Sequence, residues 1–234
     1  MLLGPMMRGR TSKDPYGEYR KLLLHCEGAN GATSFVDSSR SKRTVNANGN
    51  LQISTSSPKF GTSCALFDGT GDYLGMSASA DFGFSGDFTV DMWVKTSDYS
   101  VDGSTYRRVI HFGGGAIAST LMLLFYNGSA ESPNLSVFSN AMLITGSISV
   151  ADGSWHHVAL TRSGTSLKLW VDGVQSGSTA TTSQNFNAGT SNSVLIGIDT
   201  SLSGGFNGTL DEIAITNGVA IWNAAFTPPT GPTV

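Results

Sequence analysis

Cysteine and glutamate are scarce in this 234-residue chain, which has two Cys and only four Glu, Glu18, Glu27, Glu131 and Glu212. Cys26 and Cys64 are too few for a disulfide scaffold, and neither stands near further Cys or paired His at zinc-site spacing. Both lie in apolar runs, "LLLHCEG" and "SCALFDG", which predicts two buried thiols in preference to a bridge. No apolar run approaches the ~18 residues that a membrane-spanning helix needs, so membrane insertion is not expected. The opening "MLLGPMMRGRTSKDPYGEY" puts apolar residues before charges, the reverse of a secretory signal, and reads as a chain made in a cytoplasm and not exported by the usual route.

Helical periodicity over three turns is also missing. What is present is β chemistry: 29 glycines for sharp turns and 39% hydrophobic residues for a core, at a length that suits one large sandwich. In "DFTVDMWVKT", Phe88, Val90, Met92 and Val94 share one face, and Thr89, Asp91, Trp93 and Lys95 the other. "YRKLLLHCEG", "SCALFDGTGDYLGM", "YRRVIHFG", "STLMLLFYN", "NLSVFSN" and "AMLITGS" supply further short strands, the pattern of a sandwich or barrel.

The stretch "SWHHVALTRSGTSLKLWVDGVQSGS" concentrates His, Trp, Arg and Asp as a catalytic centre would. It parses instead as a β-meander: strand "WHHVALTR", turn "SGTS", strand "LKLWV", an Asp172-Gly173 turn of type I′, strand "VQSGS". His156 and His157, consecutive in a strand, point to opposite faces and cannot share a site. His25 and His111 are likewise simplest as strand residues, and no nucleophile elbow is present.

Charge is uneven. Residues 1–43 carry eight Lys/Arg against four Asp/Glu, and residues 44–234 carry six against thirteen. An acidic body makes nucleic acid an unsuitable partner. Residues 1–20, interrupted by Gly4, Pro5, Gly9, Pro15 and Gly17, read as an anchoring arm, with Arg8, Arg10, Lys13, Arg20 and Lys21 as the groups that would dock on an acidic protein surface or a sister copy. Residues 21–234 read as the domain.

The pieces "CALFDGTGDYL" (64–74), "DFTVDMWVK" (87–95), the meander (154–178), "VLIGID" (194–199) and "FNGTLDEIAIT" (206–216), in this order, resemble the laminin-G-like, concanavalin A-like superfamily. The resemblance implies an all-β jelly-roll sandwich with an extended N-terminal arm. The closing "LDEIAITNGVAIWNAAFTPPT" resembles the end of many tailed-phage virion proteins, which implies a phage particle as the location. Hydrolases of the superfamily carry an E-x-D-x-E strand, and none of the four Glu here lies in one; Glu212 beside Asp211 in a strand should diverge from it. Many relatives hold a structural calcium between the first and last strands, at positions matching Glu27 and Asp211, with Asp68 as a second candidate. The plainer alternative makes Asp68 and Asp72 turn formers and Asp211 the cap of a bend.

Sugar binding would use exposed aromatics, for which Trp93, Trp170 and Tyr126 are the candidates, unless loops or a neighbouring subunit cover that face. Trp155 and Trp222 read as packing residues. The expected function is a non-enzymatic phage virion structural protein, a capsid decoration or a tail component, homo-oligomeric in the particle and displaying a lectin-like domain to host-surface glycans. The alternatives are a glycan-degrading enzyme and a free lectin of the same fold.

Overall fold

The computed structural model describes residues 14–102, 105–113, 120–126, 128–187 and 193–234. Strands β1 (Arg20–Leu24), β2 (Asn46–Asn48), β3 (Gln52–Ser54), β4 (Cys64–Asp68) and β5 (Tyr73–Met76) precede a 3-10 turn at Ala80–Phe82. Then come β6 (Phe88–Lys95), a small hairpin of β7 (Val101–Asp102) and β8 (Thr105–Tyr106), and β9 (Arg108–Phe112), β10 (Leu121–Phe125), β11 (Leu135–Ser139) and β12 (Ala141–Ile144). The last third holds β13 (His156–Ser163), β14 (Ser166–Val171), β15 (Val174–Gln175), β16 (Ala180–Thr181), β17 (Val194–Ile196) and the long β18 (Asn207–Asn217).

These strands form two large antiparallel sheets. The larger runs β15-β14-β13-β6-β18-β4-β3, with β1 beside β18 and β16 beside β14; the smaller runs β12-β11-β10-β9-β17-β5-β2. The expected meander is β13, β14 and β15, and Asp172 and Gly173 both take the positive φ of a type I′ turn, 50° and 78°. The core lies between the sheets, where Phe88, Val90, Met92 and Val94 of β6 meet Phe112, Leu123, Phe125 and Val137. The alternation read in the sequence therefore identified the inner face. Burying each of these side chains contributes about 1.5–3 kcal/mol.

At 11 residues, β18 is longer than any strand beside it. One edge pairs with β6 along its length; the other pairs first with β4, through Asn207–Leu210, and then with β1, through Ile213–Thr216. The changeover is a bulge between Asp211 and Ala214, with Glu212 at φ 51°. A bulge admits one extra residue and breaks the alternation locally.

Arg162 closes one end of the sandwich. It is 1% exposed, and its guanidinium donates to the carbonyls of Gly86 at 2.7 Å, Gln184 at 2.5 Å and Phe84 at 3.0 Å while lying over the rings of Phe88 and Phe186. The segments it joins also pair directly through Phe84 and Phe186. Arg162→Leu keeps most of the volume but leaves these carbonyls without their donor, so it should cost about 3 kcal/mol, read as a lower urea midpoint at unchanged slope.

Candidate functional site

The bulge in β18 brings two buried carboxylates together. Asp211, fully buried, accepts the backbone N–H of Lys59 at 2.9 Å and of Phe60 at 3.2 Å. Glu212 lies 3.0 Å from His25 Nδ1 and accepts the N–H of Thr233 at 2.8 Å. The sequence expectation that these neighbours diverge assumed regular alternation; in the bulge each instead ties down a segment that covers the outer face of the larger sheet.

That face is closed. Trp93 is 6% exposed, with Lys59 Nζ 3.6 Å above its ring and Phe60 edge-on to it at 5.7 Å. Trp170 is 2% exposed; its indole N–H donates to Thr161 Oγ1 at 2.8 Å, and Phe226 packs on it at 5.8 Å. The C-terminal segment crosses the β14–β15 turn at Gly173, whose carbonyl accepts the Phe226 N–H at 3.1 Å. A Cβ at Gly173 would stand 1.7 Å from the Phe226 carbonyl oxygen, so glycine there serves both the turn and the crossing. Trp93 and Trp170, expected as sugar platforms, are thus interior residues. Tyr126, half-buried and packed on Tyr106 at 4.2 Å, follows β10 in the other sheet, so the three aromatics build no common site.

Beneath the covering segment lie polar groups without protein partners. His157 is 1% exposed, ringed by Trp93, Trp222 and Phe226, and its Nε2 stands 3.6 Å from Asp91 Oδ2. Neither ring nitrogen makes a hydrogen bond, nor do Asp91 Oδ1, Thr216 Oγ1 and Arg20 Nη1. His156 points away from this cluster, to Asp172 at 2.7 Å and Asp152 at 3.1 Å. Burial works against its charge, but these two carboxylates raise its pKa on balance. Burial takes His111 the other way, down to about 4, so it stays neutral.

The anchoring residues divide. Arg8, Arg10 and Lys13 lie outside the described residues. Arg20 is a correction: it opens β1, is 7% exposed and pairs through Nε with Asp14 at 2.8 Å, which makes it part of the domain. Lys21 is half-buried, with its ammonium 3.3 Å from the Glu18 carbonyl. Cys26 and Cys64 are free and buried, as expected.

The calcium candidates do not converge. Glu27 accepts from Thr62 N–H at 2.9 Å and from the hydroxyls of Thr62 and Ser63, Asp211 from Lys59 and Phe60, and Asp68 from Thr70 N–H at 2.7 Å. Among the described residues no three His, Cys, Asp or Glu side chains group as metal ligands. Glu27 and Asp211 both face N–H donors of the Lys59–Ser63 loop, and such positive dipoles do the work a cation would do there. The residues do not fit a calcium site between the first and last strands.

A groove of about 370 Å³ opens at the rim of the larger sheet, between the end of β6 and the start of β18. Lys95, Asp98, Gly153, Asn207 and Thr209 are among its walls. Burial alone would raise the Asp98 pKa, but hydrogen bonds from Ser100 and Asn207 and the charge of Arg107 bring it to about 2. Gly208 forms part of the groove, and a Cβ there would stand 2.5 Å from the Lys95 carbonyl. Sequence reasoning missed this site because residues 95–98 and 207–209 meet only through strand pairing; the nearest signal was the Gly in "FNGT".

Asp211 should leave a signature in pH dependence. Burial lifts its pKa to about 7, against ~3.9 unfolded. The folded state therefore holds an extra proton between these values, a contribution full below pH ~4 and lost as pH rises through 7. His25, raised chiefly by its hydrogen bond to Glu212, acts with the same sign above pH ~6.5. Wild-type urea midpoints should fall from pH 5 to pH 8, and Asp211→Asn, which keeps an acceptor for the loop, should flatten that fall.

Comparison with solved structures finds the same fold in other proteins. Domain 4 of a GH43 extracellular arabinanase from Geobacillus stearothermophilus, solved in complex with arabinotriose, matches with TM-score 0.60 at 18% identity, over 86% of this chain and 95% of that one. The binding domain of botulinum neurotoxin serotype D matches with TM-score 0.59 at 14% identity, over 86% of this chain and 49% of that one. The toxin DC binding domain in complex with rat synaptotagmin II gives 0.60 at 12%, with 86% and 48% covered. The chain thus spans about half the length of the toxin domains. A search of curated protein sequences finds no match. Residues 68–229, well over half of the chain, match the family model for laminin-G-type domains of the concanavalin A-like lectin/glucanase superfamily, and the chain belongs to that superfamily.

Proposed function

We propose that this protein is a non-enzymatic, lectin-like module of a phage particle, a capsid decoration or tail component that binds host-surface glycan in its rim groove. The observation that carries the reading is the distribution of accessible polar groups. The outer face of the larger sheet is covered by the Lys59–Ser63 loop and the C-terminal segment, whereas the rim groove is lined by Lys95, Asp98, Asn207 and Thr209, with Asn207 donating to Asp98 at 2.8 Å, a polar lining of the kind hydroxyl-rich ligands use. The arabinotriose held by the arabinanase domain supports carbohydrate as the ligand class. The phage assignment rests on "LDEIAITNGVAIWNAAFTPPT", with residues 1–13 as the attachment segment and self-assembly in the particle as the expected state.

Two of the four Glu support a role without covalent chemistry: Glu212 and Glu27 are committed to His25, Thr233, Thr62 and Ser63. Lys95→Ala should weaken binding on a glycan array at least tenfold without lowering the melting temperature. Deleting residues 1–13 should abolish incorporation into gradient-purified particles while the domain still folds. Particles that incorporate the truncated chain normally would exclude the attachment role, and reducing ends released from a host polysaccharide would replace binding with hydrolysis.

A further inference from the structure

Between the N-terminal turn and the C-terminal segment lies a cavity of about 220 Å³. Its surface is mostly apolar, with Pro15, Tyr16, Ile221, Trp222 and Pro229 among the lining residues. Ile221 and Trp222 are only half-buried, whereas Trp93 and Trp170 of the sheet beneath are covered. An apolar wall left against water forgoes the burial that drives packing, so the cavity calls for an apolar occupant. Asp14 lines the cavity as well, and it is the residue at which 1–13, outside the described residues, join the domain. The first seven of these, Met1 to Met7, hold five Met or Leu and no charged side chain.

We propose that this cavity is the docking site of the chain's own residues 1–7. Size and chemistry agree: a cavity of ~150 Å³ takes a benzene-sized apolar group, and 220 Å³ takes a Met or Leu side chain with room beside it. Methionine adapts to irregular apolar walls, and its thioether packs favourably against an aromatic ring such as Trp222, which stacking on Phe226 at 4.2 Å holds in place. Reach selects the occupant. Only residues 8–13 separate Met7 from Asp14, at most ~25 Å of extended chain, and Gly9 permits the reversal that brings the apolar run back to the cavity mouth. A tether this short gives an effective concentration of order mM, which a second copy of the chain does not match in dilute solution. Charge agrees as well. Arg8, Arg10 and Lys13 follow the apolar run, and residues 44–234 beneath them carry six Lys/Arg against thirteen Asp/Glu. Docking ties the two ends of the chain together and pins the C-terminal segment over the larger sheet.

The test is iodide quenching of tryptophan fluorescence, which reads the exposure of Trp222. Removing residues 1–7 should raise the quenching constant at least twofold. Met6→Asp combined with Met7→Asp in the full chain should do the same, and these substitutions lie outside the folded sandwich, so the result does not hang on a variant's folding. In a Trp222→Phe background the deletion should leave quenching unchanged. The protection in the full chain should also be independent of protein concentration, with light scattering recording a monomer. If the full and shortened chains are quenched alike, the cavity is not the docking site and the proposal falls. If protection grows only as the concentration rises and a dimer appears, a second copy is the occupant and the proposal falls as well. Incorporation into particles reads the attachment role of residues 1–13 separately, so either reading can fail while the other stands.

Discussion

The bulge at Asp211 and Glu212 is the constraint on which the rest of the structure depends. β18 must serve two partners on one edge, β4 and then β1, while staying paired to β6 on the other. One extra residue allows this, and it places two carboxylates where regular alternation would have put one on each face. Asp211 holds the Lys59–Phe60 backbone and Glu212 holds Thr233, so the two segments that cover the outer face are fastened at the same point. The raised pKa of Asp211 reflects the low-dielectric position that this role requires.

Covering the outer face changes what the larger sheet can do. A sheet with one face in water shows aromatics and charges to ligands; here Trp93, Trp170 and His157 pack under Lys59, Phe60, Trp222 and Phe226. Burial on both sides explains why seven of the eight residues of β6 are buried, polar Thr89 and Asp91 among them. The polar groups trapped there are the unusual part, since Asp91, Thr216, His157 and Arg20 each keep an atom without a protein partner. Buried polar atoms are otherwise nearly always paired, which sets this layer apart from ordinary core.

Clefts are left where strands end. The rim groove forms where β6 leaves the sheet and β18 enters it, and a cavity of about 220 Å³ forms where the N-terminal turn meets the C-terminal segment. Both juxtapose residues more than a hundred positions apart in the chain, and both mix fixed charges with rigid backbone. A sandwich scaffold suits such sites because its paired strands fix their ends in space.

How much was legible follows from the range of each interaction. Alternation in "DFTVDMWVK" and the Asp172-Gly173 turn are local, and they specified β6, the meander and the inner face of the core correctly. The superfamily could likewise be read from five ordered motifs. Local pattern says that Trp93 and Trp170 face away from the core but not what lies over them, because the covering residues, Lys59 and Phe226, come from distant segments. Nor could it place Arg20, whose neighbours look like a loose arm, inside the domain through its pairing with Asp14. The sequence by itself determined the strands, their inner faces and the superfamily, since these depend on period-two burial and turn residues. Tertiary structure alone decided which polar face is sealed and where clefts remain, because long-range strand pairing and the path of the C-terminal segment set both.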